Sequence, residues 1–388
     1  MSAEFTTQTG IRLENIRGVP AETLDQLSFV RKLLQQGSEG PEVLEVDETW
    51  LGMLKDDLLD LRPYMPDLAH SIAPALESSY FIGGKLVAIP YQNHVGVLAF
   101  RADLLRKYGF GNPPATWTEL ERMALRIQEG ERAHGNKDFW GYVWPGAAEE
   151  SLTCNALEWQ VDEGGGKIIE SDGAVSVDNP AAIHAWQRAK HWIGWISPPS
   201  VPEYRESDAL GAFNSGRSAF LRVWAGEPGG DSSQQDSNLH VTIWGTGHQV
   251  GEMAITALPG GSVSRVGTLG GVGLAVSKYS KHPQEDAALV RFLLRKQLES
   301  FEKGEIHLFV AKPALYDVSS SNPDTARAIV IARPTRFDSR DYEKVSREYF
   351  GAVHAVLTGE KRASAAAFEL QKNLVRITGQ QPGLVARE

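Results

Sequence analysis

The chain has 388 residues, of which 42% are hydrophobic and 23% charged, so it has the composition of a folded globular protein and the length of two or three domains. The formal net charge of −10 argues against the basic face that non-specific binding to nucleic acid or to an anionic membrane requires. A single cysteine, Cys154, excludes an internal disulfide.

Neither a membrane-spanning segment nor a signal peptide is evident in the sequence. No apolar run approaches the roughly 18 residues that a spanning helix needs. Met1 to Phe5 has no basic region and no apolar core, and no lipid-attachment cysteine lies near the start. If the protein is exported, we therefore expect its signal sequence to be absent from this chain.

Patterns in the first quarter of the chain predict a helix, a strand and a hairpin. Apolar residues at helical spacing predict a helix over Thr23–Gln36. Val43–Asp47 is predicted to form a short strand. Two further strands are predicted on either side of Gly83-Gly84, within Phe81–Pro90.

Helix signals follow in the middle of the chain. Thr116 or Thr118 is predicted to cap the helix that comes after it, and Asp178-Asn179-Pro180 is predicted to cap another. The apolar residues around Cys154 predict that the helix over Leu152–Trp159 is buried and that its thiol is inert.

The stretch from Phe213 to Trp224 carries the most specific pattern of the chain. Gly216 suits the left-handed end of a helix, and Phe220 with Leu221 predicts a short buried strand. Trp224 would then stand at the end of that strand, before the glycine-rich residues 226–230. Because large aromatic residues are mostly buried, Trp224 is either a core residue or a ring that faces a ligand.

Together with segments 90–98, 268–277 and 342–346, this stretch resembles the extracellular solute-binding proteins of sugar ABC transporters, in their trehalose/maltose-binding branch. The resemblance covers almost the whole chain from Phe5 onward. Residues 5–11 resemble the end of the family's first helix and the start of its second strand, which would begin at Ile11. The first strand and most of the first helix of the family pattern are therefore not matched.

The resemblance implies an α/β fold of the type II periplasmic-binding-protein kind, with two lobes, a hinge between them and a ligand cleft at the lobe interface. The first lobe is expected to hold residues 1–95 and 270–310. The second is expected to hold residues 96–269 and 311–388.

The resemblance also implies a function. The protein would capture a mono- or oligosaccharide in the periplasm or outside the cell and deliver it to the permease subunits of an ABC transporter. We expect a monomer that is not an enzyme, with no cofactor, no metal site and no nucleic-acid partner.

A site for a sugar needs flat aromatic rings for the apolar C–H face and polar groups that donate to and accept from the hydroxyl rim. The ligand-binding residues expected from the resemblance are Asp47, Trp50, Tyr91, Asn93, His94, Glu150, Trp224, Gly271, Val272 and Arg333. Arg336 is the alternative to Arg333.

Two of these positions depart from the family pattern. His94 stands where the family usually has an aspartate, and Val272 stands where many relatives have a tryptophan. Because a histidine both donates and accepts, the pocket would read a different set of hydroxyls. The sequence therefore predicts a sugar other than trehalose or maltose.

Several alternatives stay open at this point. Asp47 is alternatively a helix N-cap, and His94 is alternatively a hinge residue that bonds only to backbone. A glycoside-processing enzyme would need two carboxylates across a scissile bond, and Asp47 with Glu149 or Glu150 is the pair to name, although no spacing supports it. A binding protein for another solute, such as a glycosylated polyol or a peptide, is the main alternative.

Overall fold

The computed structural model describes residues 1–20, 23–69, 79–225, 251–302, 329–331, 333 and 339–383. The described residues of 1–93, 270–302 and 339–342 form one compact unit, called unit 1. Those of 94–269, 329–333 and 343–383 form a second, called unit 2. None of the helices in these ranges is both long and apolar enough to cross a membrane.

Helices and strands occur in both units, which makes the fold mixed α/β. The helices are α1 (Ser2–Thr9), α2 (Thr23–Leu34), α3 (Leu51–Leu54), α4 (Pro66–Ala69), α5 (Ala102–Lys107), α6 (Trp117–Ala133), α7 (Glu150–Asp162), α8 (Pro180–Trp192), α9 (Glu206–Asn214), α10 (Pro283–Glu302), α11 (Tyr342–Leu357) and α12 (Ala363–Thr378). The strands are β1 (Val43–Asp47), β2 (Phe81–Ile82), β3 (Lys85–Leu86), β4 (Ile89–Arg101), β5 (Trp140–Val143), β6 (Ser218–Ala225), β7 (Met253–Ala257), β8 (Val266–Val276) and β9 (Ile329–Ile331).

Unit 1 is built around the pair formed by β1 and the second half of β8. The two strands are antiparallel, with Val43 opposite Val276 and Asp47 opposite Val272. The predicted hairpin is confirmed, because β2 and β3 pair as antiparallel strands. Gly83 and Gly84, which connect them, have φ angles of 58° and 77°. Two successive positive φ angles are what the favoured two-residue hairpin turn requires.

Unit 2 is built around β6, which runs antiparallel to β4 and parallel to β5. Successive side chains of a strand point to opposite faces of its sheet. On one face, Val95 and Val97 of β4 and Leu221 of β6 lie in a buried cluster with Ala212 and Phe213 of α9. This cluster fixes α9 against the sheet of unit 2.

Two long strands carry the chain from one unit to the other. β4 leaves unit 1 after Asn93 and continues in unit 2 from His94. β8 leaves unit 2 after Leu269 and continues in unit 1 from Gly270. The predicted site residues on β4 and β8 therefore lie close in sequence to these crossings.

Local signals predicted several helix ends correctly. Thr116 caps α6 in a capping box with Glu119, and Asn179 caps α8 directly before Pro180. Cys154 lies in the interior of α7, and burial raises the pKa of its thiol, as expected for an inert core cysteine.

The expected strand from Ile11 is wrong. α1 ends at Gly10, whose φ of 76° is left-handed, and residues 11–20 form neither helix nor strand. Gly18 and Pro20 disfavour a strand in this segment, because glycine packs no side chain and proline cannot donate to a sheet.

Candidate functional site

Trp224 stands near the end of β6 and is held by two polar residues of unit 2. It is half-buried and lies directly opposite Gly96 of β4. Its indole Nε1 donates a hydrogen bond of 2.8 Å to Glu206 Oε1, at the start of α9. The guanidinium carbon of Arg222 lies 4.0 Å from the centre of its ring. One face and one edge of the ring are thus occupied by the protein itself.

Arg222 is in turn held in place by Glu158 of α7. Arg222 Nη2 donates to Glu158 Oε1 at 2.6 Å and Nε donates to Oε2 at 3.1 Å. The two side chains are 1% and 0% exposed. Glu158 Oε1 also accepts a hydrogen bond of 3.0 Å from Thr268 N. Buried charges require such pairing, because an uncompensated ion in the interior is costly.

Gly96 makes room for this ion pair. A Cβ at this position would collide with Glu158 Oε1 and with Arg222 Nη2. A glycine inside a strand commonly marks such a close approach. Gly96 therefore leaves room for the Arg222 guanidinium to lie against the ring of Trp224 without displacing β4.

His94 lies on the same face of the sheet as Gly96, because alternate residues of a strand share a face. Trp224 is opposite Gly96, so His94 and Trp224 are diagonal neighbours across two antiparallel strands. His94 is half-buried. The structure thus brings two of the predicted ligand-binding residues together within unit 2.

Glu150 and Arg333 are also brought together in unit 2, but they contact each other. Arg333 Nη1 donates to Glu150 Oε1 at 2.8 Å, and the side chains are 3% and 7% exposed respectively. Glu150 Oε2 accepts from Ser346 Oγ at 2.6 Å, and Ser346 Oγ lies 2.7 Å from Thr153 Oγ1. Glu150 opens α7, where the helix dipole favours a negative charge. The pair joins Arg333 and α11 to the first turn of α7.

Asp47 and Val272 face each other in unit 1, where they are register partners of β1 and β8. Asp47 Oδ1 accepts hydrogen bonds from Thr49 N at 2.8 Å and from Thr49 Oγ1 at 2.6 Å. This contact caps the short 3₁₀ turn Glu48–Trp50. Trp50 is 4% exposed, so its ring is in the interior.

The remaining predicted residues lie on the crossing strands. Tyr91 and Asn93 are on the unit 1 part of β4, and Tyr91 is half-buried. Gly271 is buried on β8 with a φ of 152°, a value that residues with a side chain rarely adopt. Arg336 and the glycine-rich residues 226–230 lie outside the described residues.

Glu158, Glu206 and Arg222 were not among the predicted site residues. Arg222, a charged residue within the apolar run from Phe220 to Trp224, is a signal in the sequence for a buried ion pair, because a buried arginine requires an acidic partner. The sequence could not identify that partner, since Glu158 is 64 residues away along the chain.

Comparisons with known proteins agree with one another. The family of bacterial extracellular solute-binding proteins matches residues 1–298. A probable ABC transporter-binding protein of Deinococcus radiodurans is 35% identical over 380 residues, which cover 93% of this chain and 86% of that protein. The structure of maltose-bound MalE3 of T. maritima has a TM-score of 0.78 and 26% identity, and the match covers 97% of this chain and 94% of that one.

A more distant structure shares the fold alone. It is an ABC transporter solute-binding protein of Thermotoga lettingae with bound α-D-tagatose. Its TM-score is 0.76 at 19% identity, over 97% of this chain and 94% of that one. The predicted fold class, that of the type II sugar-binding proteins, is confirmed by these two structures.

Proposed function

This chain belongs to the bacterial extracellular solute-binding proteins, and we propose that it captures a carbohydrate for import by an ABC transporter. The proposal takes unit 1 and unit 2 as the two lobes expected from the sequence. Its ligand would be a mono- or oligosaccharide, bound outside the cytoplasm and passed to the permease subunits. The protein would act as a monomer.

One observation carries the carbohydrate assignment, namely the way in which Trp224 is held. A sugar ring has an apolar C–H face, which stacks on a flat aromatic ring, and a rim of hydroxyls, which needs donors and acceptors. Trp224 supplies such a ring, and His94 beside it supplies a group that both donates and accepts when neutral. An indole whose edge and one face are fixed by Glu206 and Arg222 is suited to receive a flat ligand on the other face.

The maltose-bound relative supports the same ligand class. MalE3 of T. maritima matches this chain nearly from end to end at 26% identity, so the proposal extends its class of ligand to this protein. The departure at His94 leads us to propose a carbohydrate with a hydroxyl pattern different from that of maltose.

A thermal-shift screen tests the proposal. A ligand that binds only the native state raises the melting temperature, by an amount that corresponds to about 2.7 kcal/mol at a ligand concentration of a hundred times Kd. The screen contains maltose, trehalose, tagatose, ribitol, mannitol and a set of short peptides. We expect a carbohydrate to raise the melting temperature. A rise with a peptide and with no carbohydrate would overturn the assignment.

A further inference from the structure

The indole ring of Trp224 is constrained in two independent ways. The hydrogen bond from Nε1 to Glu206 Oε1, at 2.8 Å, fixes the rotation of the ring about its side-chain bonds. The guanidinium of Arg222, 4.0 Å from the ring centre, covers one of the two faces. A cation over an indole face is attracted by the π-electrons of the ring. These two contacts define one orientation of the ring, and among the described residues no second cation or aromatic ring lies against its other face.

Arg222 and Glu206, the two residues that hold the ring, are themselves held in place. Arg222 cannot turn away, because it makes two hydrogen bonds to Glu158 in the buried interior. Glu206 is the first residue of α9, a helix that is anchored to the sheet by Ala212 and Phe213. The backbone at the start of α9 is further fixed, because Arg205 N donates to Asp208 Oδ2 at 2.9 Å. Both groups that hold Trp224 are therefore attached to rigid elements.

We propose that Glu206 and Arg222 are positioning residues that hold Trp224 ready to stack on a sugar before the ligand arrives. The inference rests on the proposed function, since it takes Trp224 as a ligand-binding ring. Its physical basis is preorganisation: a side chain that is already ordered loses little conformational freedom on binding. Releasing the ring should therefore weaken binding, although neither Glu206 nor Arg222 needs to touch the ligand.

The cleanest test compares Glu206→Met with Glu206→Gln. Both variants remove the charge from the start of α9, and methionine and glutamine have similar helix propensities. Only glutamine keeps a side-chain oxygen that can accept from Trp224 Nε1. Any difference between the two variants therefore reports the hydrogen bond and not the charge or the helix.

The first readout needs no ligand. The indole N–H resonance of Trp224 is assigned by its absence in Trp224→Phe, and its exchange with solvent is measured. We expect exchange to become faster in Glu206→Met and to stay near wild type in Glu206→Gln. The indole of Trp192, which donates to Glu121 at 2.6 Å, is the internal control and should not change. Equal exchange in all three proteins would overturn the proposal.

The second readout is affinity for the probe carbohydrate, namely whichever of maltose, trehalose, tagatose, ribitol and mannitol most raises the melting temperature in the screen above. We expect roughly two- to tenfold weaker binding in Glu206→Met, the range that corresponds to ordering one side chain, and little change in Glu206→Gln. In a Trp224→Ala background, Glu206→Met should have no further effect. A further loss in that background would mean that Glu206 contacts the sugar itself, which would contradict the positioning role.

Failure of the inference is distinguishable from failure of the proposed function. If Trp224→Ala leaves the affinity for the probe carbohydrate unchanged, Trp224 is not part of the ligand site and the observation on which the proposed function depends is lost. If Trp224→Ala weakens binding while Glu206→Met does not, the function stands and the positioning role is wrong.

Arg222 is tested with a variant that keeps the buried charge. Arg222→Lys retains an ion partner for Glu158, but an ammonium cannot lie flat against the indole or make the two-pronged contact. We expect a folded protein in which the Trp224 indole exchanges faster and the probe carbohydrate binds more weakly than in wild type. Wild-type exchange and affinity in this variant would remove Arg222 from the proposal.

Discussion

Trp224 is the residue whose replacement should separate binding from folding. Trp224→Ala should cost roughly 1–3 kcal/mol of binding free energy, the range for an aromatic contact at a binding site. The loss of stability should be small, because Trp224 is only half-buried. Calorimetric titration and thermal melting measure the two effects. Trp195→Ala is the matched control, because Trp195 is another half-buried tryptophan of unit 2, and its ring packs against that of His191 at a tilt of 39°.

The outcome for Trp224 decides between its two interpretations. If Trp224→Ala melts far below wild type while each folded molecule binds as well as before, Trp224 is a core residue. Equal losses of affinity in Trp224→Ala and Trp195→Ala would show that Trp224 makes no specific contact with the ligand.

His94 should make affinity depend on pH. A neutral imidazole donates from one nitrogen and accepts at the other, whereas the cation only donates. A sugar hydroxyl that donates to His94 would lose its acceptor on acidification, so affinity should fall between about pH 8 and pH 5. His94→Asn should flatten this profile, because asparagine does not titrate in that range. Identical profiles for the two proteins, measured by calorimetry, would exclude His94 from the site.

At the level of single residues, the sequence predicted positions better than contacts. It put Trp224 at the end of a strand, where the structure has it. It did not predict that Glu150 and Arg333 bond to each other, because residues 183 apart in the chain meet only through the tertiary fold. A resemblance transfers the place of a residue in a pattern, whereas its partners depend on the side chains of this particular chain.

Helix α7 is unusual among the elements because polar residues lie on its buried sides. Its first and last residues illustrate this, since Glu150 pairs with Arg333 and Asp162 accepts hydrogen bonds from Val266 N at 2.8 Å and Trp117 Nε1 at 3.1 Å. Every such group carries a desolvation cost that its partners must offset. The stability of unit 2 should therefore depend on these partners.

The ion pair between Glu150 and Arg333 should be costly to break from one side. Arg333→Met would remove the Arg333 guanidinium from the buried Glu150 carboxylate, and we expect a loss of roughly 3–5 kcal/mol in the free energy of unfolding. Adding Glu150→Gln should recover part of this loss, because the buried negative charge is then removed as well. Urea unfolding measures both. If Arg333→Met keeps wild-type stability but loses affinity, Arg333 acts on the ligand instead.

Asp162 should make stability fall with rising pH. Burial raises its pKa to about 9, and the charge of Glu158 adds to the rise. An unfolded aspartate titrates near ~3.9. Between these values the folded protein holds a proton that the unfolded chain has lost, so stability decreases as the pH rises, by up to about 1.4 kcal/mol per pH unit. Asp162→Asn should reduce this slope, measured by urea unfolding from about pH 6 to pH 8.

The slope is compared and not the absolute stability, because asparagine cannot accept from both Val266 N and Trp117 Nε1 as well as a carboxyl group does. Equal slopes in wild type and Asp162→Asn would show that Asp162 is ionised in the folded state as well.

Elements with strong local signals could be predicted from the sequence, and those without could not. The capping box at Thr116 and the turn at Gly83-Gly84 are encoded by neighbouring residues, and both were predicted. The full length of β4 was not, because it passes through Pro90, which is unusual within strands, and depends on distant partner strands. The expected strand from Ile11 was wrong for a related reason. A strand needs a neighbouring strand to pair with, and the match of a few residues to a family pattern does not show that this chain provides one.

At the level of the whole molecule, the fold class followed from the order of several matched segments. Two compact units joined by β4 and β8 are what the structure has, and the match to MalE3 of T. maritima extends over 97% of the chain. The identity of the ligand does not follow in the same way. We expect it to depend on a few side chains, such as His94, at which the resemblance implies a departure from the family pattern.

The most direct test of the account is calorimetric titration of the protein after any bound ligand has been removed by unfolding and refolding. The carbohydrate that most raises the melting temperature is titrated into wild type and into Trp224→Ala. We expect one saturable site in wild type and an affinity roughly 5- to 150-fold weaker in Trp224→Ala, which corresponds to about 1–3 kcal/mol. The absence of saturable binding of any carbohydrate to wild type, or equal affinities in the two proteins, would contradict the account.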